Sequence, residues 1–269
     1  MPQTSMVAKV VMKLGGGLIT DKSSFKVPKK GVIDSICKEI SKIISNGHSV
    51  TLIHGAGSFG HLLAREWSLA GGLDPEISEQ QRDAVLRVRS DMIELCGYVT
   101  NSLSHHGIKC EVFPPSEWVM GTGSSFDGDL TIFEDVPKGT VPVSFGDVVR
   151  VGGDAEFGIL SGDDLMARIS LELPSVTHCI FLLGDVDGMM DLPPNVEGSK
   201  LIPIWSAGEC IETTHNTEHD VTGGIELKAA RASQISEGVD EVWFINGNHP
   251  ERISQLIEEG TTIGTKILG

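Results

Sequence analysis

Four predicted strands in this chain run straight into polar turns that carry glycine: "KLGGGLITDK", "HGAGSFGH", "ILSGDDL" and "LLGDVDG". A fifth such turn, "DVTGG", opens a helix that carries Lys228. This repetition constrains the fold more than any other feature. Strands separated by amphipathic helices predict an α/β protein, a three-layer αβα sandwich around a mostly parallel sheet. In such a sheet the carboxyl ends of the strands line the ligand crevice, and helix N-termini there favour anions. Glycine lets backbone approach a ligand closely, and 32 glycines in 269 residues, about 12% against a usual ~7%, fit many such turns.

The periodicity supplies the elements. "MVAKVVMKL" (6–14) reads as a strand, and "HSVTLIHG" as a second. Between them Ile33, Ile36, Cys37, Ile40, Ile43 and Ile44 share one helical face, with Gly47 as the stop. A helix is expected after "HGAGSFGH". The clearest helix starts at "SEQQRDAV", where Ser78 and Gln81 resemble a capping box. Its stripe is Val85, Val88, Met92, Leu95, Cys96, Val99 and Leu103. "IKCEVF" is a strand ended by Pro114-Pro115, and the pieces "GTVPVSFGDVV" and "EFGIL" suggest hairpins. "SGDDLMARISLEL" is a helix with Ser161 as N-cap. "THCIFLLGDVDG" is apolar throughout, like a strand buried on both faces. Residues 191–219 read as a polar, turn-rich, mobile insertion. A helix from "IELKAARASQISEG", the strand "EVWFING" and the helix "PERISQLIEEG", with proline in its first turn, complete the pattern.

Charge narrows the partners. With 21 Lys and Arg against 37 Asp and Glu, the formal net charge is −16, which repels nucleic acid and anionic membranes. A phosphorylated ligand must then be held by a few local cations, so lysines inside the glycine turns matter most. Lys13 and Lys22 flank Gly15, Gly16 and Gly17. The five cysteines, Cys37, Cys96, Cys110, Cys179 and Cys210, form no C-x-x-C pair and read as reduced thiols, with neither a zinc site nor a disulfide framework. No apolar run approaches a membrane span, and the N-terminus lacks a signal-peptide core, so a cytoplasmic location is expected.

No glycine turn fits G-x-x-x-x-G-K-[ST]. "GAGSFG" comes near a dinucleotide fingerprint at Gly55, Gly57 and Gly60, but no strand ending in a ribose-binding acid follows. Instead "KLGG", "HGAGSFGH", "GDVV", "SGDDL", "DVDG", "DVTGG" before Lys228, and "GTTIGTKI" occur in that order over nearly the whole chain. This set resembles the amino acid kinase superfamily and, within it, the isopentenyl phosphate kinase family. "HGAGSFGH" and "DVTGG-x3-K" are its specific parts.

The resemblance implies phosphorylation of isopentenyl phosphate by ATP with Mg²⁺, in a homodimer. It implies one domain over 1–269, with an acceptor-binding lobe over roughly 1–175 and a nucleotide-binding lobe over roughly 176–269. By position, Lys13 bridges the transferring phosphoryl group and Lys22 stabilises the transition state. His61 binds the acceptor phosphate, to which Ala56 and Gly162 offer backbone groups. Gly57 and the loop Gly15–Gly17 face the ATP phosphates. Asp163 orients the lysines, and Asp185, Gly223 and Lys228 belong to the nucleotide side. No protein ligand for a metal is implied. The chemistry agrees: a phosphate monoester is already ionised near neutral pH, so transfer needs positioning and charge neutralisation rather than a strong base.

Three positions depart from the family pattern: Gly17 stands where serine is frequent, Met189-Met190 where an aromatic is common, and Asp164 where the residue is often uncharged. Plainer readings apply elsewhere. His54 reads as a strand-end histidine bonded to backbone. Asp163 on spacing alone equally fits a helix-start acid, and Asp185 and Asp187 fit turn formers. His215 and His219 read as a solvated loop, and Lys26, Lys29 and Lys30 fit an extension of the phosphate attraction and an exposed approach to a helix equally well. The "VLRVRSDMIELC" helix reads as core-facing, and the resemblance implies that part of it lines an apolar pocket for the prenyl tail. Alternative functions are a kinase for another phosphate or phosphonate acceptor such as fosfomycin, and a non-catalytic nucleotide-binding module.

Overall fold

The computed structural model describes residues 7–206 and 224–269. In chain order the elements are β1 (Lys9–Leu14), α1 (Gly16–Ile19), α2 (Lys30–Ser45), β2 (Ser49–His54), α3 (Gly57–Glu66) and α4 (Ser78–His105). Then come β3 (Lys109–Val112), α5 (Pro115–Trp118), β4 (Thr140–Phe145), β5 (Asp147–Arg150), β6 (Phe157–Leu160) and α6 (Gly162–Glu172). The chain closes with β7 (His178–Leu183), β8 (Ile204–Ser206), α7 (Gly224–Ser236), β9 (Glu241–Asn246), α8 (Glu251–Glu259) and β10 (Thr265–Leu268). Among the described residues no helix is long and apolar enough to cross a membrane.

Eight strands form one sheet in the order β3-β4-β2-β1-β7-β9-β10-β8. Every pairing is parallel except β9 with β10. The strand period of two sorts β1 between the faces: Val10, Met12 and Leu14 join one core with α2, α3, α4 and α8, while Val11 joins the other with α6 and α7. Lys13 falls in the second set by the same alternation, at the carboxyl end of the strand. The β7 strand lies between β1 and β9 and is buried along its length apart from His178. That burial matches the continuous apolar run seen in its sequence.

The helical stripe of α4 is buried as expected, and that of α2 is too except for half-buried Ile44. Gly47 ends α2 at φ +94°, a conformation that favours glycine. Ser161 caps α6, its side chain accepting a hydrogen bond from the Asp164 N–H.

Five local expectations are corrected. The helix after the second glycine turn begins inside it, at Gly57. Ser78 is the first helical residue of α4 rather than its cap; Ile77 takes that place, with no side-chain bond. Buried Gln81 accepts from the Asp74 N–H at 2.7 Å and donates to the Trp67 carbonyl at 2.9 Å, so it serves the preceding loop. The hairpin is β5 with β6 alone, because β4 is captured by β2 and β3 in the main sheet. Pro250 caps α8 from just outside. Within residues 191–219, 204–206 form β8 beside β10; residues 207–223, which include Cys210, His215, His219 and Gly223, lie outside the described residues. Of the described thiols, Cys37, Cys96 and Cys179 are buried and Cys110 half-buried; burial pushes the first three up to about 12, which leaves them unreactive.

Candidate active site

The carboxyl ends of β1, β2 and β7 open into a cleft of about 920 Å³. Two glycine loops form its floor by touching backbone to backbone. A Cβ on Gly55 would lie 2.7 Å from the Gly16 nitrogen, and one on Gly15 would lie 2.8 Å from the Leu182 carbonyl. Thr20 fastens the loops together: its hydroxyl donates to the Gly16 carbonyl at 2.8 Å and accepts from the Ser58 N–H at 3.0 Å. Gly57 sits at φ +50° at the start of α3, a turn that leaves the Ser58 amide on Thr20 and places His61, four residues on, against the cleft.

Lys13 reaches this floor from the middle of the sheet and is only 5% exposed. Its ammonium lies 2.6 Å from Asp163 Oδ1, and Lys228 approaches the same carboxylate at 3.1 Å. Burial pushes the Asp163 carboxyl up, but the two ammonium groups outweigh that and hold it at about 2. The carboxylate is therefore ionised and holds two cations that would otherwise repel each other. Gly162 makes this possible, since a Cβ there would stand 3.1 Å from Lys13 Cε.

Lys22 arrives from the loop after α1. Its ammonium pairs with Asp185 Oδ2 at 2.7 Å across the mouth of the cleft, with both side chains about half exposed (49% and 61%). That loop is anchored from behind. Lys26, at φ +56°, meets Asp91 at 2.6 Å and Glu94 at 2.5 Å on α4, and Lys29 donates to the Gly17 carbonyl at 3.1 Å. Lys26 and Lys29 are thus tethers of the loop, not an exposed basic approach.

The structure gathers Lys13, Gly15, Gly16, Gly17, Lys22, Ala56, Gly57, His61, Gly162, Asp163, Asp185 and Lys228 around this one cleft. Gly223 lies outside the described residues. His61, on the first turns of α3, has an apolar wall beside it: Val88 and Met92 of α4 face α3 at Gly60, and Leu62 and Ile159 also line the space. At the other end Met189, Met190, Trp205 and Ile225 form a second apolar wall.

Other candidates have structural duties. The His54 Nδ1 faces the Gly55 carbonyl at 3.1 Å, so it carries the proton, and the ring stacks on Phe145. Burial lowers it to about 4, keeping it neutral. Asp187 is tied to Arg252 at 2.6 Å, and Asp164 to Arg231 at 2.7 Å, which accounts for a charge at that position. Two further residues escaped the sequence reading, one buried beneath the cleft floor and one lining the cleft. Thr20 is visible only as a hydroxyl four residues after Gly16. Asp147, the acid of "GDVV", lines the cleft and accepts from the Ser116 and Val148 N–H groups; burial nonetheless raises it.

Paired lysines, a helix-start histidine and exposed loop amides at the carboxyl edge of a parallel sheet define a small-molecule kinase site. Residues 8–246 match the Amino acid kinase family, and the chain belongs to it. An isopentenyl phosphate kinase of Thermoplasma acidophilum is 35% identical over 96% of this chain and 99% of its own length. The crystal structure of a T. acidophilum isopentenyl phosphate kinase product complex superposes with TM-score 0.79 at 31% identity, covering 97% of this chain and 100% of the other. An acetylglutamate kinase of Solibacter usitatus is 28% identical over 97% of this chain and 99% of its own.

Proposed function

We propose that this protein transfers the γ-phosphoryl group of ATP to isopentenyl phosphate, giving isopentenyl diphosphate. The observation that carries the reading is the acceptor end of the cleft, where His61 and the glycine-loop amides adjoin the Val88 and Met92 wall. An anionic head with a short apolar tail suits that pairing. A small phosphonate such as fosfomycin leaves the wall without a use, and a purely regulatory module leaves Lys13, Lys22 and His61 without one.

The roles follow from position. His61 and the amides around Ala56 and Gly162 hold the acceptor phosphate. The Gly15–Gly17 loop and Gly57 face the ATP phosphates. Lys13 spans the two, fixed by Asp163, and Lys22 closes over the transferring group. Lys228 and Asp185, with Gly223, serve the nucleotide. Bringing two polyanions end to end is the main obstacle, and preorganised cations and N–H donors lower it. Mg²⁺ would ride on the ATP oxygens and neutralise charge there. The cleft carboxylates fit this: Asp163 is held by two lysines, Asp185 by Lys22, and Asp147 by backbone amides. The lobe division near residue 175, a homodimer and a cytoplasmic location complete the proposal.

The test supplies purified protein with ATP, Mg²⁺ and isopentenyl phosphate, and follows the diphosphate by mass detection, with fosfomycin and other acceptors in parallel. Turnover concentrated on isopentenyl phosphate is expected. Efficient transfer to another acceptor with none to isopentenyl phosphate would reject the reading.

A further inference from the structure

We propose that Asp34, His105 and His106 bind a divalent transition-metal ion of the Zn²⁺ or Ni²⁺ class, at a site separate from the cleft and independent of the kinase reading. Asp34 lies in the second turn of α2, His105 is the last residue of α4, and His106 caps that helix. One ligand atom from each residue lies within 4.8 Å of the other two. The His106 Nε2 stands 2.9 Å from Asp34 Oδ1, and the Ser102 hydroxyl donates to that same oxygen at 3.2 Å. The two imidazole rings sit edge to face with centroids 5.4 Å apart. From Met92 at the cleft to His105 is thirteen helical steps, about 20 Å along α4.

The donor set selects the ion. Two imidazoles with one carboxylate suit zinc, nickel or copper, whereas magnesium prefers oxygen ligands alone. Zinc–nitrogen and zinc–oxygen bonds are about 2.0–2.2 Å, so the three atoms must close by a small amount, which exposed side chains permit. The carboxylate that now meets His106 is already aimed at the shared space. On binding, His106 moves its proton to Nδ1 and offers the Nε2 lone pair to the metal. Three protein ligands leave a further position for water. Carbonyl groups at the end of α4 and a net charge of −16 both favour a cation there. The bound ion would staple α2, which follows the Lys22 loop, to α4, whose middle supplies Val88 and Met92 to the cleft.

The experiment titrates ZnCl₂ and NiCl₂ into the full chain after chelator treatment, by calorimetry and by thermal unfolding. Wild type, H105A/H106A and D34N are compared, each first shown to be folded without metal by circular dichroism and a cooperative thermal transition. His215 and His219 are unchanged across the set, so differences isolate this site. The wild type should bind one equivalent more than H105A/H106A, and D34N should bind at least about tenfold more weakly. The melting temperature of the wild type should rise with metal concentration and that of H105A/H106A should rise less. Equal stoichiometry and affinity in wild type and H105A/H106A, or no binding by the wild type, would overturn the proposal.

Discussion

Two lysine–aspartate contacts face the same cleft under opposite conditions. Lys13 and Asp163 are buried, 2.6 Å apart, and joined by Lys228. Lys22 and Asp185 are about half exposed, 2.7 Å apart, and held by loops. The first contact is part of the core: the sheet period and the start of α6 fix both partners before any ligand arrives. The second is exchangeable, because water can replace either partner, and a phosphate the carboxylate, at little cost. One cation is fixed in place, and the other stands in a contact that solvent reaches. Distance alone would not have separated them; burial does.

Breaking the buried contact should have the largest effect. Asp163→Asn leaves Lys13 and Lys228 facing each other in the core without a counter-charge, which should cost about 3–5 kcal/mol of stability and abolish most turnover. Denaturant unfolding and single-turnover kinetics would check this. A stable, active variant would show that the triad is not what fixes Lys13.

The exposed lysine should separate activity from stability. Lys22→Met should lower kcat by about 10²–10³-fold, as loss of one donor to a developing charge does. Its unfolding midpoint should stay close to that of the wild type, since an exposed ion pair contributes under ~1 kcal/mol. A matching loss in both quantities would erase the contrast.

Acid sharpens it further. His54 beneath the second glycine loop is held neutral, at about 4 against a usual 6.5. The unfolded chain takes up that proton first, so stability is full above about pH 6.5 and falls as pH drops toward 4, by roughly 3 kcal/mol. His54→Asn, which can keep a donor toward the Gly55 carbonyl, should flatten that part of the stability profile. An unchanged slope would show that His54 titrates normally. The smallest effect belongs to Asp185→Asn. It should alter stability by less than ~1 kcal/mol and reduce the salt dependence of kcat/KM for ATP. A large loss of stability would show that this pair belongs to the framework after all.

The sequence made the elements legible wherever periodicity is local. The stripes of α2 and α4, the Ser161 cap and the apolar β7 all depend on residues a turn or two apart. Pairing partners were not legible, because β4 carries the same alternation whether it meets β5 in a hairpin or β2 and β3 in the main sheet. Gln81 looked like a capping residue since spacing cannot reveal that its amide turns to the Trp67 loop. In the site, glycines and lysines announced themselves in the motifs. What spacing could not tell was that Lys13 is buried while Lys22 is not, or that Lys26 grips Asp91 and Glu94 across 65 and 68 residues of chain. Thr20 and Asp147 act through geometry that exists only after the sheet has formed.

The most direct test of the account is a crystal structure with isopentenyl phosphate and a non-hydrolysable ATP analogue bound together. The account predicts two anions end to end over the glycine loops, with Lys13 and Lys22 at the bridging oxygens and His61 on the acceptor phosphate. Either anion bound outside this cleft, or Lys13 turned away from both, would contradict it.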